Sequence, residues 1–349
     1  MIEAICARAA VLSYTASHNS VSLSYFACLF RQLALVLVAP LLVTAVTPPA
    51  LKQIAVLDIP GRPGFDEIAL VHGMILVSHG GAGTVDLFDP QKRRIVGHVR
   101  DMSSPRGVAF DEHEHLVYIA NSGARNIVVV STDDWQVKRT IPVVSAPDSL
   151  FLLASEHLLY VTFPESQSIV ALDLASNGQP ISAVTVEGRP NTFAFDPSRH
   201  QLFLTLQDRR SVLVLNPALK TITKFELNAS EPTGIVFSPR HDRLYVAVRY
   251  AVLALEPSTG QEVSRSAVAG GIDQLTLDEA ASTLLGISNG AVFVLPVSAT
   301  LGVANELAVD VKGHTFAYDS ANGFIYVPGG REGRSKLLVL KRLIPKSPS

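Results

Sequence analysis

A repeat of about 42 residues runs through most of this chain and limits the folds that it can adopt. Each unit carries an apolar anchor in a β-type run, and successive copies lie 40 to 43 positions apart. These copies are Leu76, Tyr118, Tyr160, Phe203, Tyr245, Leu285 and Tyr326. A second apolar anchor lies eight positions earlier in six units and six positions earlier in the first. Two anchors that keep one period indicate seven copies of a single structural unit.

The clearest copy spans residues 105–143 and shows what one unit contains. Its runs rich in Val, Ile and aromatic residues lie at 107–110, 116–120, 126–131 and 136–143. Turns rich in Asp, Asn, Ser and Gly separate these runs, which predicts four short strands in an antiparallel meander. A period of 40 to 45 residues with four strands per unit is typical of a β-propeller.

The two ends of the repeat region predict how the ring closes. The last unit has only three strand-like runs, at 314–318, 323–328 and 337–343, whereas the run at 51–59 precedes the first complete unit. We therefore predict an all-β, seven-bladed β-propeller of four-stranded antiparallel blades over residues 51–345. The run at 51–59 is predicted to be the outer strand of the last blade, which leaves few open sheet edges.

Residues 1–50 differ in kind and are predicted to be a signal or anchor segment with a short spacer. Arg31 precedes an apolar run of eleven residues at 33–43, which is short for a membrane span. The run fits a secretory signal, with 43–45 as a small-residue cleavage site. We therefore expect export to the periplasm or the outside. The alternative is an uncleaved segment that anchors the protein to a membrane.

Cysteine content and charge narrow the classes of site and partner. Cys6 and Cys28 both precede the propeller, so its body has no disulfide and no thiolate metal site. The formal net charge is −2 and basic runs are short, which does not favour nucleic-acid binding. We expect a monomer that binds an unidentified small ligand or protein, with no cofactor.

The repeats resemble the YVTN-type β-propeller family of YncE-like bacterial proteins over residues 51–343. Tyr160-Val161-Thr162 is the triplet that names the family, and residues 118–122 followed by 126–130 are close to its longer pattern. Residues 195–197 and 237–239 match the end of its first strand. The resemblance implies an exported, often seven-bladed and usually non-enzymatic scaffold.

A ring of polar residues is predicted at one mouth of the central channel. The residue four positions before the earlier anchor lies where each inner strand begins, and all seven copies are polar or charged. They are Asp66, Arg106, Asp148, Asn191, Thr233, Asp273 and His314. Solvated loop ends are often polar, so this pattern also has a purely structural interpretation. We predict ligand binding here.

A second set of candidates comes from the loops that follow the second strands. The residues of these loops that we predict to contact the ligand are His79, Asn121, Arg125, Gln207, Arg249 and Arg331. Arginine is frequent there, and guanidinium groups suit carboxylate or phosphate groups of a ligand. This set predicts a mildly basic mouth. Asn289 belongs to the same series.

Metal and catalytic motifs are weak. Asp66, Asp148, Asp273 and His314 are the conceivable ligands of a divalent ion, but they lie on widely spaced blades, and we predict no metal site. His115, His157 and His200 recur at one position of successive units and are interpreted as hairpin-turn residues. The glycine-rich run at 78–83 lacks the strand–loop–helix setting of a phosphate loop.

Two functions from different classes follow. The first is a binding scaffold that holds a small ligand or protein partner at the channel mouth, and no catalytic residues are assigned. The second is a lyase or lactonase-like hydrolase that uses acidic and histidine residues at the mouth as acid–base groups. Convergence of those side chains in one pocket would favour the enzyme, whereas neutralisation of the acids by Arg106 or Arg125 would favour the scaffold.

Overall fold

A computed structural model describes residues 50–288 and 290–343 of the 349-residue chain. The predicted export segment and Asn289 lie outside these residues. No helix in the described ranges is long and apolar enough to cross a bilayer.

The described part of the chain contains 28 β-strands, which form seven four-stranded antiparallel sheets. The first two strands along the chain are β1 (Ala50–Asp58), which belongs to the last blade, and β2 (Phe65–Val71), which begins blade 1. Blade 1 continues with β3 (Met74–His79), β4 (Thr84–Asp89) and β5 (Arg94–Val99). Blade 2 comprises β6 (Pro105–Asp111), β7 (Leu116–Asn121), β8 (Asn126–Ser131) and β9 (Val137–Pro142). Blade 3 comprises β10 (Leu150–Leu153), β11 (Leu158–Phe163), β12 (Ser168–Asp173) and β13 (Gln179–Thr185).

Blade 4 comprises β14 (Pro190–Asp196), β15 (Gln201–Leu206), β16 (Ser211–Leu215) and β17 (Thr221–Glu226). Blade 5 comprises β18 (Ile235–Ser238), β19 (Arg243–Val248), β20 (Ala251–Leu255) and β21 (Glu262–Ala267). Blade 6 comprises β22 (Gln274–Asp278), β23 (Thr283–Ser288), β24 (Ala291–Pro296) and β25 (Asn305–Ala308). Blade 7 contains β26 (Ala317–Asp319), β27 (Phe324–Arg331) and β28 (Arg334–Leu343), with β1 as its outer strand. Two short 3-10 turns lie at Ser122–Ala124 and Ala154–Glu156. The predicted seven-bladed propeller is confirmed.

Apolar side chains pack between neighbouring blades and form seven separate cores. All seven later anchors of the sequence repeat are buried, each at 4% exposure or less. Tyr160 shows why an aromatic residue suits this place, since its ring packs against Phe193 of blade 4 and its hydroxyl donates to the carbonyl oxygen of Pro217 at 2.9 Å. Each blade is thus covered on both faces, which a lone four-stranded sheet cannot achieve.

The ring closes as the sequence predicts. Strand β1 pairs antiparallel with β28 from Ala50–Leu343 to Asp58–Lys336. The core between blades 7 and 1 contains Tyr326 and Leu337 on one side and Phe88 on the other. The first and last described strands therefore share one sheet.

The inner strand of blade 7 is shorter than the predicted run at 314–318. It begins at Ala317, which pairs with Tyr326 of β27. Two residues beyond Tyr326, Pro328 has no N–H to donate to the inner strand, and the ladder ends there. His314 consequently precedes the strand.

The repeated histidines occupy turns, as the sequence predicts. His115, His157 and His200 have φ angles of 55°, 54° and 54°. This left-handed conformation is uncommon for residues with a side chain, and histidine is among those enriched in it. A turn position explains their recurrence.

A buried ion pair joins blade 7 to blade 6. Arg342 on β28 lies 2.9 Å from Asp278, and their side chains are 4% and 9% exposed. The same guanidinium donates to the hydroxyls of Tyr318 and Thr283, each at 3.0 Å. Removing the guanidinium would leave a buried carboxylate without its cation.

We therefore expect Arg342→Leu to lower the free energy of unfolding by about 3 to 5 kcal/mol, because it strands the Asp278 carboxylate. Urea denaturation measures this change. Arg265→Leu is the matched control, since the side chains of the Arg265–Glu262 pair are 45% and 28% exposed and its loss should cost about 1 kcal/mol or less. Equal losses in both variants would contradict the assignment.

Candidate functional site

The inner strands begin around one mouth of the channel, where they enclose a cavity of about 240 Å³. Six of the seven blades supply residues to its lining, which is polar at almost every position. The lining consists of Asp66, Glu67, Arg106, Gly107, Asp148, Ser149, Arg189, Asn191, Thr192, Gln207, Asp273, Gln274, His314 and Thr315. Six of the seven ring positions predicted from the repeat are therefore brought together in one cavity.

Thr233 is the ring position that the cavity lacks. Its side chain is 4% exposed, and its hydroxyl donates to the carbonyl oxygen of Ile272 in the neighbouring blade. A Cβ at the next residue, Gly234, would lie 2.8 Å from the backbone nitrogen of Leu275. This close approach of blades 5 and 6 places Thr233 in the wall between them.

Arg106 links three blades across the mouth. Its guanidinium lies 2.9 Å from Asp66 of blade 1 and 3.3 Å from Asp148 of blade 3. Gly107 permits this arrangement, because its N–H donates to the carbonyl oxygen of Asp148 at 3.0 Å and a Cβ there would lie 2.4 Å from that oxygen. Ser78 fixes the same strand by donating to the carbonyl oxygen of Arg106 at 2.7 Å.

The lining is acidic, which corrects the predicted mildly basic mouth. It contains four acidic side chains against the two guanidinium groups of Arg106 and Arg189. Burial raises the pKa of Asp66 and of Asp148 despite the opposing charge of Arg106. Burial also raises the pKa of Asp273, although His314 opposes that shift. Such a cavity favours a ligand with positive charge or one that donates hydrogen bonds.

Glu67 is a cavity residue that the sequence prediction missed. Its carboxylate accepts a hydrogen bond from the N–H of Val108 at 3.1 Å. Channel water still reaches part of the side chain, but protein surrounds the carboxylate, and this desolvation raises its pKa to about 8. The position after each ring residue holds Gly, Ser, Thr or Gln in the other units, so an acid there was a detectable departure.

Among the members of the second set that the structure describes, only Gln207 lines the cavity. The loops after the second strands lie one strand farther from the axis, a displacement of about 4.8 Å. Arg125 is exposed in a left-handed turn, Arg249 pairs with Glu231 at 2.8 Å, and Arg331 pairs with Asp310 at 3.1 Å. The arginines that suggested a basic mouth are therefore directed elsewhere.

The remaining two members of that set hold the structure together. Asn121 is buried, and its side-chain oxygen accepts the N–H of Ser103 at 2.7 Å. His79 is fully buried and contacts Asp86 and the carbonyl oxygen of Arg62. Both lie away from the cavity lining.

The conceivable metal ligands Asp66, Asp148, Asp273 and His314 all border the cavity. Even so, over residues 50–288 and 290–343 no three or more His, Cys, Asp or Glu side chains are arranged to hold a metal ion.

No family model and no curated protein sequence matches the chain. Solved structures do match its fold. Kuenenia stuttgartiensis hydrazine synthase superposes with a TM-score of 0.69 at 14% identity, covering 79% of this chain and 95% of that one. A streptogramin B lyase gives 0.69 at 13% identity, with 85% and 99% covered. A chain of a mitotic checkpoint complex gives 0.71 at 12% identity, with 84% and 94% covered. These likenesses show the β-propeller fold alone.

The raised pKa of Glu67 predicts how stability depends on pH. The folded protein keeps this proton up to about pH 8, whereas an unfolded chain releases it near pH 4.3. The folded state therefore binds more protons across this window, and the contribution of Glu67 to stability falls as the pH rises. We therefore expect the free energy of unfolding of Glu67→Gln, relative to that of the parent, to rise by about 1 to 3 kcal/mol between pH 5 and pH 8.

Urea denaturation at a series of pH values measures this difference. The control is Glu187→Gln, whose carboxylate is 91% exposed and should show no such trend. A stability difference between the parent and Glu67→Gln that stays constant with pH would contradict the assignment.

Proposed function

We propose that this propeller is an exported, non-enzymatic binding scaffold whose channel-mouth cavity holds a small ligand with positive charge. The observation that carries the proposal is the cavity itself, with an excess of carboxylates over guanidinium groups in its lining. Because buried carboxylates gain from a cation beside them, an ammonium-bearing ligand would stabilise the site.

The distribution of charge within the cavity refines this proposal. Arg106 already neutralises much of the charge of Asp66 and Asp148. In the described part of the chain, neither Glu67 nor Asp273 has a salt bridge to Lys, Arg or His. Asp273 is therefore the group that we assign to the cationic end of the ligand, with Gln207, Asn191 and the protonated Glu67 as neutral partners.

Two features of the sequence support the scaffold. The blades resemble the YVTN-type repeat, whose members are mostly exported scaffolds, and residues 33–45 resemble a secretory signal. The pairing of Arg106 with two of the acids also favours binding over acid–base catalysis, since the guanidinium occupies an oxygen atom of each carboxylate.

Calorimetry with two four-carbon probes of opposite charge tests the proposal. We expect 1,4-diaminobutane to bind and succinate not to bind. Asp273→Asn should weaken diamine binding by about tenfold, the loss expected for one hydrogen bond between charged groups. Asp133→Asn is the matched control, because that carboxylate lies in an outer turn and is 72% exposed. Binding of succinate in preference to the diamine would overturn the assignment.

A second candidate is a lyase or lactonase-like hydrolase. Asp273 and His314 border the same cavity as Glu67, whose pKa of about 8 suits a general acid near neutral pH. One structure of similar fold is named a lyase. The scaffold requires a bound compound to be recovered unchanged.

We therefore expect no turnover when lactones and cavity-binding compounds are incubated with the protein and followed by NMR. Turnover that His314→Asn abolishes and Asp133→Asn retains would establish the enzyme instead.

A further inference from the structure

The ring-closure linker, residues 59–64, connects the outer strand β1 of blade 7 to the inner strand β2 of blade 1. Ser335 of blade 7 makes two hydrogen bonds to the linker. The N–H of Ile59 donates to the carbonyl oxygen of Ser335 at 3.1 Å, and the Ser335 hydroxyl donates to the carbonyl oxygen of Gly61 at 3.0 Å. The linker is held from blade 1 by the N–H of Gly81, which donates to the carbonyl oxygen of Gly64 at 3.0 Å. The linker leads directly into Asp66 and Glu67 of the cavity.

His79 adds a contact from beneath the linker. Its side chain is fully buried at the end of β3 and stacks on Phe65, with ring centroids 4.3 Å apart. Nδ1 lies 2.7 Å from a carboxylate oxygen of Asp86, and Nε2 lies 2.7 Å from the carbonyl oxygen of Arg62 in the linker. Both ring nitrogens thus face oxygen atoms.

The two oxygens determine which hydrogen bonds each form of the ring can make. A carbonyl oxygen can only accept a hydrogen bond, and a neutral imidazole has one N–H and one lone pair. A neutral ring would therefore turn a lone pair towards an oxygen on one side, in a buried place that water does not relieve. An imidazolium ring donates on both sides and satisfies both oxygens.

The groups around Asp86 support a charged pair. Oδ1 of Asp86 accepts from Thr84 and lies 2.7 Å from Nδ1 of His98. Burial raises the pKa of Asp86, but the hydrogen bonds from His79, Thr84 and His98 hold it below its usual range. Asp86 and, beyond it, His98 are the titratable groups that face His79, whereas Arg62 contacts the ring through its carbonyl oxygen. If one proton moved from His79 to Asp86, the two side chains together would still hold the same number of protons.

We propose that His79 is a protonation-dependent latch on the ring-closure linker. The doubly protonated ring ties Asp86 of blade 1 to Arg62. Loss of the proton on Nε2 breaks the bond to the linker, while Nδ1 keeps its bond to the Asp86 carboxylate. The linker then loses one of its attachments, and the cavity wall at Asp66 and Glu67 loses part of its support. The latch acts as a positioning device, and it stands independently of the ligand proposed above.

The sign of the pH effect follows from the proton count. The latch is complete when the ring carries both protons and is lost as the pH rises. We expect amide hydrogen exchange in residues 59–67 to quicken by about fivefold to tenfold beyond its intrinsic pH dependence between about pH 5 and pH 9, the effect of one lost hydrogen bond. Exchange mass spectrometry of the full chain measures this change.

Two variants separate the latch from general destabilisation. In Asp86→Asn, the amide oxygen keeps the bonds to Thr84 and His98, and the amide nitrogen donates to Nδ1 of a neutral His79. Nε2 then keeps its proton and its bond to Arg62. In His79→Gln, the side-chain amide replaces Nε2 as a donor that does not titrate. Because Glu67 titrates in the same range, the parent and both variants are compared in a Glu67→Gln background, in which we expect linker protection in both variants to lose its excess pH dependence.

Two controls identify the titrating ring. His98→Gln leaves His79 in place and should retain the pH dependence. His115→Gln alters a histidine–aspartate pair in an exposed turn, 3.0 Å apart, and should also retain it. In 15N-histidine NMR of the parent, the ring that is absent from His79→Gln should show protons on both nitrogens at acidic pH.

Three outcomes would overturn the latch. They are linker exchange in the parent without excess pH dependence, the same dependence in Asp86→Asn, or a singly protonated His79 ring at acidic pH. Failure of 1,4-diaminobutane to bind would count against the cavity ligand only, since linker exchange is measured without it.

Discussion

The pairing of β1 with β28 is the interaction on which the rest of the structure depends. Without β1, blade 7 would have three strands and an open edge, and its face towards blade 1 would lose part of its cover. Closure also determines where the linker runs, and the linker begins the inner strand that carries Asp66 and Glu67. One pairing between strands nearly 300 residues apart therefore supports the ring and one wall of the cavity.

The acidic side chains of the cavity are not all neutralised to the same extent. Arg106 reaches acids on the two blades beside its own, because Gly107 lets the backbones of blades 2 and 3 approach closely. Asp273, at the start of the inner strand of blade 6, lies beyond that guanidinium and has no salt bridge among the described residues. A pseudo-symmetric ring thereby acquires a neutralised side and an acidic side, and a ligand with charge at one end would bind in one orientation.

Side-chain hydroxyls at one position of the repeat hold the backbone around the channel mouth but do not line the cavity. Ser78 and Thr205 occupy the third position of the triplet that begins at the buried anchor, and each donates to a carbonyl oxygen in the next blade, at 2.7 and 2.8 Å. Thr162 fills the same place in blade 3, where its hydroxyl accepts the N–H of Ser149 at 2.9 Å. The motif that identifies the blades thus also holds the backbone that presents the cavity residues.

The sequence by itself determined the blade, the number of blades and the closure, because these depend on local alternation, turn residues and a period that survives divergence. It also located the ring positions, since equivalent residues of a repeat lie at equivalent places around an axis. Only the tertiary structure decided which side chains share the cavity and which partners they meet. Arg125, Arg249 and Arg331 follow the same sequence rule as Gln207, yet they lie outside the cavity lining, and Thr233 is drawn into a wall by Gly234. Charge compensation depends on contacts across blades that are about 40 residues apart in the chain, and no local pattern records those contacts.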